Sequence, residues 1–238
     1  MTPDILAIIQ ARMGSTRFPG KSMAEIEGRP ILSYMMDQLS HCQTLDGIVL
    51  AVPDTPADDP LAAFAAGEGW SVFRGSEADV LARFHDAAVA HGAGPRTGIV
   101  RLTGDDILPD PHLVDAVVRL YSAFLGLFDY VCTDRAGRLP YGAGVELLSF
   151  EALTIAYREA TAPREREHVV PFVKWNSDRF RSLELTTSAD LSDSISLSID
   201  TPEDLERNRM LIRKLRERQN PPYHIADILS VARQEVQP

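Results

Sequence analysis

The amino-acid sequence predicts an α/β fold, because short apolar runs alternate with segments of helical periodicity. The first run, residues 5–9, reads Ile-Leu-Ala-Ile-Ile, and a continuously apolar stretch of this length is typical of a strand buried on both faces. Residues 31–39 then carry apolar side chains at helical spacing behind Pro30, which suits a first helical turn. Further strands are predicted at residues 47–52, 71–73, 98–102, 129–132, 145–148, 181–186 and 195–199.

The remaining helices follow from the same periodicity, and the last of them has a clear start. Thr201 can act as the N-cap, Pro202 fits the first turn, and Asp204 stands three residues after Thr201. The sequence has no internal repeat and no linker rich in glycine, proline or serine, so we expect one domain over residues 1–238. The other predicted helices cover residues 60–66, 78–91, 113–121, 151–160 and 165–175.

The composition is that of an ordinary globular protein, and it argues against several other classes. Of 238 residues 45% are hydrophobic, and 24 Lys and Arg oppose 34 Asp and Glu for a net charge of −10. The apolar content argues against intrinsic disorder, and the acidic balance argues against a nucleic-acid partner. No apolar stretch approaches the ~18 residues of a membrane helix, and residues 1–4 lack the basic segment of a secretory signal. With two cysteines, Cys42 and Cys132, we expect reduced thiols, no membrane association and a cytoplasmic location.

Residues 10–21 form a polar loop after the first strand, with the composition of a phosphate-binding site. Ligands in open α/β sheets bind at the carboxyl ends of the strands, which is where this loop stands. Its glycines would let backbone N–H groups approach phosphate oxygen, while Arg12, Arg17 and Lys21 would offset the charge. The loop is not a P-loop, because one residue too many separates its two glycines and Pro30 prevents a long helix from beginning at Lys21. An ordinary basic loop is the alternative interpretation.

Aspartates follow two other predicted strands. Asp105 and Asp106 come after the strand at 98–102, and Asp200 ends the last predicted strand. Two carboxylates from neighbouring strand ends could share one Mg²⁺, which prefers carboxylate and phosphate oxygen. Turn formation and helix capping are the alternative explanations for these residues. We expect Lys21, Asp200 and at least one of Asp105 and Asp106 to converge on a single metal-bound triphosphate.

Five segments of the sequence resemble the cytidylyltransferase family. Residues 8–21, Ile-Ile-Gln-Ala-Arg-Met-Gly-Ser-Thr-Arg-Phe-Pro-Gly-Lys, are similar to the opening signature of that family, and this signature is highly specific. The most similar branch is the spore-coat polysaccharide type, SpsF, which is related to the acylneuraminate and 3-deoxy-manno-octulosonate cytidylyltransferases. The other matches keep the family's order and extend the resemblance to nearly the whole chain: residues 73–81, 101–105, 166–169 and 199–205.

The resemblance implies a GT-A-like nucleotide-diphospho-sugar transferase fold, a three-layer α/β/α arrangement with a mixed, mostly parallel sheet. It also implies a homodimer and a subregion at about residues 129–190 that binds the acceptor and mediates dimerisation. The implied reaction is Mg²⁺-dependent: CTP and a small acidic acceptor give a CMP-linked product and pyrophosphate.

The family's functional positions carry over to the matching residues of this sequence. The implied catalytic residues are Arg12, Lys21, Asp105 and Asp200, of which Asp105 and Asp200 would ligate Mg²⁺. Nucleotide contacts are implied for Ala11, Arg12, Gly14, Ser15, Arg17, Lys21, Arg74, Gly75 and Ser76. Acceptor contacts are implied for Tyr141, Glu146, Glu167 and His168.

One segment departs from the family pattern near the expected acceptor site. Residues 141–146 read Tyr-Gly-Ala-Gly-Val-Glu, which keeps Glu146 but lacks two acidic residues that many relatives carry before it. The acceptor is therefore open: a sugar acid, a phosphonate or another small acidic alcohol. His168 could contact the acceptor or lie on a solvated helix face among alternating charges.

Two competing functions stand beside this interpretation. A glycosyltransferase that uses a nucleotide sugar could share the fold, since fold does not determine function. It would need an Asp-x-Asp metal motif, whereas Asp105 and Asp106 are adjacent. A nucleotide-binding protein that has lost turnover is the other alternative, and the retained Arg12 and Lys21 argue against it.

Overall fold

The computed structural model describes residues 4–133, 137–192 and 195–235, with side chains described up to Ala232. Within this part of the chain the strands form two sheets. In chain order they are β1 (Ile5–Gln10), β2 (Glu25–Ile26), β3 (Arg29–Pro30), β4 (Gly47–Pro53), β5 (Ser71–Gly75), β6 (Gly98–Thr103), β7 (Tyr130–Cys132), β8 (Glu146–Ser149) and β9 (Ser182–Glu184). Strands β2 and β3 pair as a small hairpin, and the other seven form the central sheet.

The central sheet is mixed and mostly parallel, with the strand order β5-β4-β1-β6-β8-β7-β9. Strand β8 runs antiparallel to its neighbours β6 and β7, and the other neighbouring strands are parallel. The interior position of β1 explains its continuously apolar sequence. Leu6 and Ile8 pack into the apolar cluster on one face of the sheet, and Ile5, Ala7 and Ile9 into the cluster on the other.

Helices cover both faces of the sheet, as the three-layer prediction requires. They are α1 (Ile31–Leu39), α2 (Asp59–Gly67), α3 (Val80–Ala90), α4 (Pro111–Ala123), α5 (Phe150–Glu159), α6 (Pro163–His168), α7 (Pro171–Trp175), α8 (Pro202–Arg218) and α9 (Ile225–Glu235). Helices α1, α2 and α4 bury their apolar side chains with Ile9, whereas α3, α5 and α7 bury theirs with Ile8. No helix in the described residues is both long enough and apolar enough to span a bilayer.

A third apolar cluster joins α8 to the β2–β3 hairpin. Ile26 of the hairpin and Ile212 of α8 are both fully buried in this cluster. Across the same contact, Arg213 forms an ion pair with Glu27 at 2.8 Å. Helix α8 begins two residues after Asp200. The same helix therefore packs against the hairpin and determines where Asp200 lies.

The helix predicted over residues 165–175 is wrong as one element, because it is split into α6 and α7. Val169 has a φ of 69°, and the N–H of Val170 donates to the carbonyl of His168 at 2.8 Å in a γ-turn. Pro171 follows directly and starts α7, because proline fits the first turn of a helix. The break turns the end of α6 toward the carboxyl edge of the sheet, where His168 lines a cleft.

The strand predicted at residues 195–199 is also wrong. Ser196 forms an isolated bridge to Tyr141, and Ser198 forms another to Asp106. Because these single contacts go to two different loops and in opposite directions, no continuous ladder adds this segment to the sheet. The segment instead crosses the carboxyl edge of the central sheet and places Asp200 there.

Candidate active site

The loops that follow β1 and β6 border a cleft of about 460 Å³. Strands β1 and β6 are parallel neighbours, with Gln10 opposite Thr103, so both loops leave the same edge of the sheet. This is the edge at which open α/β sheets bind ligands. The residues singled out from the sequence that line the cleft are Ala11, Arg12, Ser15, Arg17, Lys21, Asp105, Tyr141, Glu167, His168 and Asp200.

Lys21 joins two aspartates that lie far apart in the sequence. Its Nζ donates to Asp105 Oδ2 at 2.6 Å and to Asp200 Oδ1 at 3.0 Å. Arg17 also approaches Asp200, with 2.8 Å between Nη2 and Oδ1. Burial acts to lower the pKa of the Lys21 ammonium, but the two carboxylates outweigh burial and raise that pKa above its ordinary value. Lys21, Asp105 and Asp200 thus lie together as expected, while their part in binding a metal and a triphosphate stays a prediction.

The backbone of the first loop holds Lys21 in this position. Gly20 adopts a left-handed φ of 74°, which residues with a Cβ disfavour, and its N–H donates to the Met13 carbonyl at 3.0 Å. Ser22 Oγ donates to the Arg12 carbonyl at 2.8 Å. The loop is therefore folded back on itself. Arg12 and Lys21, which stand near its two ends in sequence, both line the same cleft.

The donor set of Asp105 and Asp200 fits a divalent metal. Each residue contributes one carboxylate oxygen to the Lys21 ammonium, so the two side chains already gather around a single cation. Carboxylate oxygen, supplemented by substrate phosphate, is the donor that Mg²⁺ prefers. The two residues could therefore hold such an ion together.

Asp106 has a different environment from its neighbour Asp105. Its carboxylate accepts a hydrogen bond from Thr103 Oγ1, and it lines both the cleft and an adjoining cavity. Burial raises the pKa of the Asp106 carboxyl to about 6, and the charge of Asp105 adds to this rise. The residue pattern could not separate the roles of the two aspartates, because their difference comes mainly from the burial of Asp106 in the folded chain.

Sequence reasoning missed Arg83, which lies in the wall of the cleft. Arg83 is on α3 and only 2% exposed, and its guanidinium donates to the Ser76 carbonyl. Burial lowers the pKa of Arg83 to about 10, and the nearby charge of Arg12 contributes to this shift. In the described chain neither arginine forms an ion pair with a carboxylate. The sequence feature that could have identified Arg83 is the presence of a cationic residue on the apolar face of α3, three residues after Val80.

Four residues with implied nucleotide contacts lie outside the described lining of the cleft. The Arg74 guanidinium is 3.0 Å from Asp54 and 2.6 Å from Asp59. The others are Gly14, which lies beside Glu77, and Gly75 and Ser76, which adjoin Arg83.

The implied acceptor residues are divided between the cleft and a second cavity of about 200 Å³. Glu146 lines the second cavity, where it accepts hydrogen bonds from Tyr130 and, at 2.9 Å, from Arg101. Burial raises the pKa of the Tyr130 hydroxyl, and the charge of Glu146 raises it further. Tyr141 lines both spaces, and Lys174 lies in the wall of the second.

Comparison with known proteins places the chain in a family. The cytidylyltransferase family model matches residues 6–227. The SpsF spore coat polysaccharide biosynthesis protein of Bacillus subtilis is 32% identical over 221 residues, 90% of this chain and 89% of its own length. A 3-deoxy-manno-octulosonate cytidylyltransferase of Anaeromyxobacter dehalogenans is 26% identical over 87% of this chain and 97% of its own length.

Solved structures agree with these relatives. A cytidylyltransferase from Leptospira borgpetersenii matches with a TM-score of 0.90 and 30% identity, covering 98% of this chain and 95% of its own. A CMP:2-keto-3-deoxy-manno-octonic acid synthetase complexed with CTP shares the fold, with a TM-score of 0.65 and 15% identity over 89% of this chain and 99% of its own. The α/β prediction of a nucleotide-diphospho-sugar transferase fold is confirmed. The chain is an enzyme of the cytidylyltransferase family.

Proposed function

We propose that this enzyme transfers CMP from CTP to the hydroxyl of a small acidic acceptor, in a Mg²⁺-dependent reaction that releases pyrophosphate. The observation that carries the proposal is the contact of Lys21 with both Asp105 and Asp200, at the edge of a cleft that adjoins a second cavity. Membership in the family supports CMP transfer, and the CTP complex of a synthetase with this fold supports the choice of nucleotide.

The cations of the cleft suit the triphosphate. In the reaction the acceptor oxygen attacks the α-phosphorus, the bond from that phosphorus to the bridging oxygen breaks, and pyrophosphate leaves with the charge. Arg12, Arg17 and Lys21 would bind the phosphates and stabilise this developing charge, with Ser15 as a hydrogen-bond donor. Fixed cations lower the barrier because they are already aimed at the oxygens that become more negative.

Asp105 and Asp200 would hold the Mg²⁺. When bound, the ion would neutralise phosphate oxygens of the nucleotide. The carboxylates also position Lys21, because its ammonium lies between them at 2.6 and 3.0 Å. Lys21 would therefore be presented to the phosphates from the same side as the metal ligands.

The second cavity suits an acidic acceptor of modest size. Arg101 and Lys174 line it and could bind a carboxylate or phosphonate, while Glu146 could accept a hydrogen bond from a hydroxyl. Tyr141 lies between this cavity and the cleft, and Glu167 and His168 line the cleft nearby. We assign acceptor binding to these residues and thus to the subregion at about 129–190.

The same subregion could mediate a homodimer. Tyr141, Trp175 and Leu185 are large side chains that are 66%, 52% and 37% exposed. Apolar side chains exposed on one subregion are common at protein–protein contacts. Sedimentation at micromolar concentration would test the dimer, and a monomer would contradict it.

A pyrophosphate-release screen tests the proposed reaction. CTP, ATP, GTP and UTP are each mixed with Mg²⁺, the enzyme and a panel of acidic sugars and phosphonates. We expect release with CTP and one acceptor class, and loss of release after chelation of the metal. Transfer from a nucleotide sugar without pyrophosphate would instead identify a glycosyltransferase, and binding of nucleotide without any turnover would identify a non-catalytic protein.

A further inference from the structure

A third cavity, of about 170 Å³, lies between α1, the β2–β3 hairpin and the segment that joins α8 to α9. Its walls include Arg29 of the hairpin, Tyr34 and Asp37 of α1, Arg216 near the end of α8, and Tyr223 of the joining segment. In the described part of the chain this cavity shares no lining residue with the cleft or with the second cavity. The proposed reaction therefore gives it no role.

The Tyr223 hydroxyl is a buried polar group that has no hydrogen-bond partner among the described residues. Tyr223 is 2% exposed, and its backbone is fixed because its N–H and carbonyl both bond to the Gln38 side chain, at 2.8 and 2.6 Å. Burial raises the pKa of the hydroxyl, while the charge of Arg216 acts to lower it and that of Asp37 to raise it. The hydroxyl therefore lies near two charged groups that line the cavity. A ligand that accepts a hydrogen bond would recover the free energy lost by burying it unpaired.

Two arginines line the cavity from different elements of the fold. Arg29 lies over the Tyr34 ring, with its Cζ 5.1 Å from the ring centroid, and donates to Asp37 at 2.9 Å. Burial raises the pKa of the Tyr34 hydroxyl, and the charges of Arg29 and Arg216 both act to lower it. The hairpin and α8 therefore bring their cations close to the same hydroxyl, and positive charge is concentrated on one side of the cavity.

Two carboxylates lie near these arginines and reduce the excess of positive charge. Asp37 forms an ion pair with Arg29, but both side chains are more than 40% exposed, and such pairs are weak. Glu27 pairs with Arg213 at 2.8 Å, and Arg213 lowers the pKa of that carboxyl more than Arg216 does. Arg216 itself forms no ion pair within the described residues. An anion in the cavity would therefore meet one unpaired arginine and would share the other with Asp37.

We propose that the third cavity binds a phosphate group, held by Arg29, Arg216 and the Tyr223 hydroxyl. Guanidinium groups donate paired hydrogen bonds to phosphate oxygens, and the hydroxyl supplies a further donor. The cavity is smaller than the pockets of drug-sized ligands, so it suits inorganic phosphate or a small phosphate monoester. The bound group would join the hairpin to α8 beside the apolar cluster that they share. Binding of phosphate here does not depend on the proposed reaction.

A titration at constant ionic strength, followed in ¹⁵N nuclear magnetic resonance spectra, tests the proposal. The cations of the cleft would also attract phosphate, so the signals to follow are the backbone amides of Asn220 and Tyr223, which line only the third cavity. Inorganic phosphate and glycerol 3-phosphate are titrated separately, and the lower Kd identifies the free ion or the monoester as the preferred ligand. We expect at least one of them to shift both signals and to saturate below about 20 mM.

Three substitutions give opposite or null effects on that Kd. Arg216→Gln should raise it about tenfold, because a charge-assisted contact is lost, and the exposed position of Arg216 should leave folding intact. Asp37→Asn should lower the Kd about threefold, since it removes a carboxylate that competes for Arg29. Arg179→Gln breaks a different exposed ion pair, with Glu159, and is the matched control that should leave the Kd unchanged.

Tyr223→Phe provides a second measurement, by denaturant titration. Without phosphate its free energy of unfolding should equal or exceed that of the wild type, because the variant removes a buried hydroxyl that has no partner. Added phosphate should stabilise Tyr223→Phe less than it stabilises the wild type. A purely structural tyrosine would not produce this combination.

Four results would overturn the proposal. They are the absence of saturation at the Asn220 and Tyr223 signals with either ligand, equal Kd values for the wild type and Arg216→Gln, weaker binding by Asp37→Asn, and lower stability of Tyr223→Phe in phosphate-free buffer. Loss of pyrophosphate release with intact binding at the third cavity would instead refute the proposed reaction and leave this proposal standing.

Discussion

The two sides of the proposed active site differ in how their charges are balanced. On the proposed nucleotide side, Arg12 and Arg83 lie near one another and form no ion pair in the described chain, although the charges of Asp58, Glu77 and Asp79 act on Arg83. On the acceptor side, formed by Arg101, Glu146 and Tyr130, the cation already has an ion pair at 2.9 Å and the carboxylate a second donor. A nucleotide would therefore bring negative charge to arginines that have no ion-pair partner in the described chain, whereas an acceptor must exchange existing hydrogen bonds.

This difference has a consequence for the order of binding. An anion gains most where the protein has uncompensated positive charge, so the nucleotide side should attract its ligand strongly by itself. The acceptor side is neutralised internally and gains less from an incoming anion. We therefore expect tight nucleotide binding and weak acceptor binding to the free enzyme.

The largest effect is expected from Lys21→Ala, which removes the cation that joins Asp105 and Asp200. Pyrophosphate release should fall ~10²–10³-fold, by analogy with the loss of one pre-aimed donor in other enzymes. Binding of Mn²⁺, followed by electron paramagnetic resonance, should persist because Asp105 and Asp200 remain. Lys214→Ala on α8 is the control for turnover. Near-normal turnover of Lys21→Ala with its correct acceptor would contradict the assignment.

Gly142→Ala should disturb the point where the two sides meet. Gly142 has a φ of 88°, and an added Cβ would lie 2.8 Å from the backbone nitrogen of Ser198 and 2.9 Å from Asp106 Oδ1. Strain of this kind should lower the free energy of unfolding by about 2 kcal/mol in denaturant titration. Gly67→Ala, where the added Cβ meets open space, should leave stability unchanged or slightly raised. Equal unfolding free energies for Gly142→Ala and Gly67→Ala would contradict this prediction, because they would mean that the backbone around residue 142 accommodates the added Cβ without strain.

The smallest effect is expected from Glu146→Gln, which breaks the ion pair on the acceptor side. The KM for the acceptor should rise roughly tenfold, since a partly buried Arg101 loses its counter-charge, while the Kd for CTP stays the same. Glu159→Gln removes a carboxylate from an exposed ion pair with Arg179 and should change neither constant. A change confined to CTP binding would mean that the two sides are not separate.

The sequence could predict the central geometry of the site because strand ends impose it. The buried run at Ile5–Ile9 identified an interior strand, and the carboxyl ends of parallel strands meet at one edge, which brought Lys21 to Asp105. The start of α8 was equally readable, since Thr201 accepts from the Asp204 N–H at 3.2 Å as predicted. These features depend on local pattern and on one rule of topology.

The other features of the site depend on contacts between segments that are distant in sequence, and the periodicity of apolar residues does not report such contacts. Arg83 stands out in the sequence as a cation on the apolar face of α3, but its contact with Gly75 joins two separate elements and has no signal in the sequence. Helical spacing continued through Val169, although its positive φ ends α6. Apolar alternation at 195–199 suggested a strand, but that segment meets only single residues of two loops.

The apolar cluster between α8 and the β2–β3 hairpin determines the stage of chain synthesis at which the site can form. The hairpin starts four residues after Lys21, and α8 starts two residues after Asp200, so the packing of α8 on the hairpin supports both halves of the Lys21–Asp200 contact. A ribosome makes Lys21 long before α8. A nascent or truncated chain that stops before α8 would carry the whole cationic loop and yet be unable to form the proposed catalytic centre.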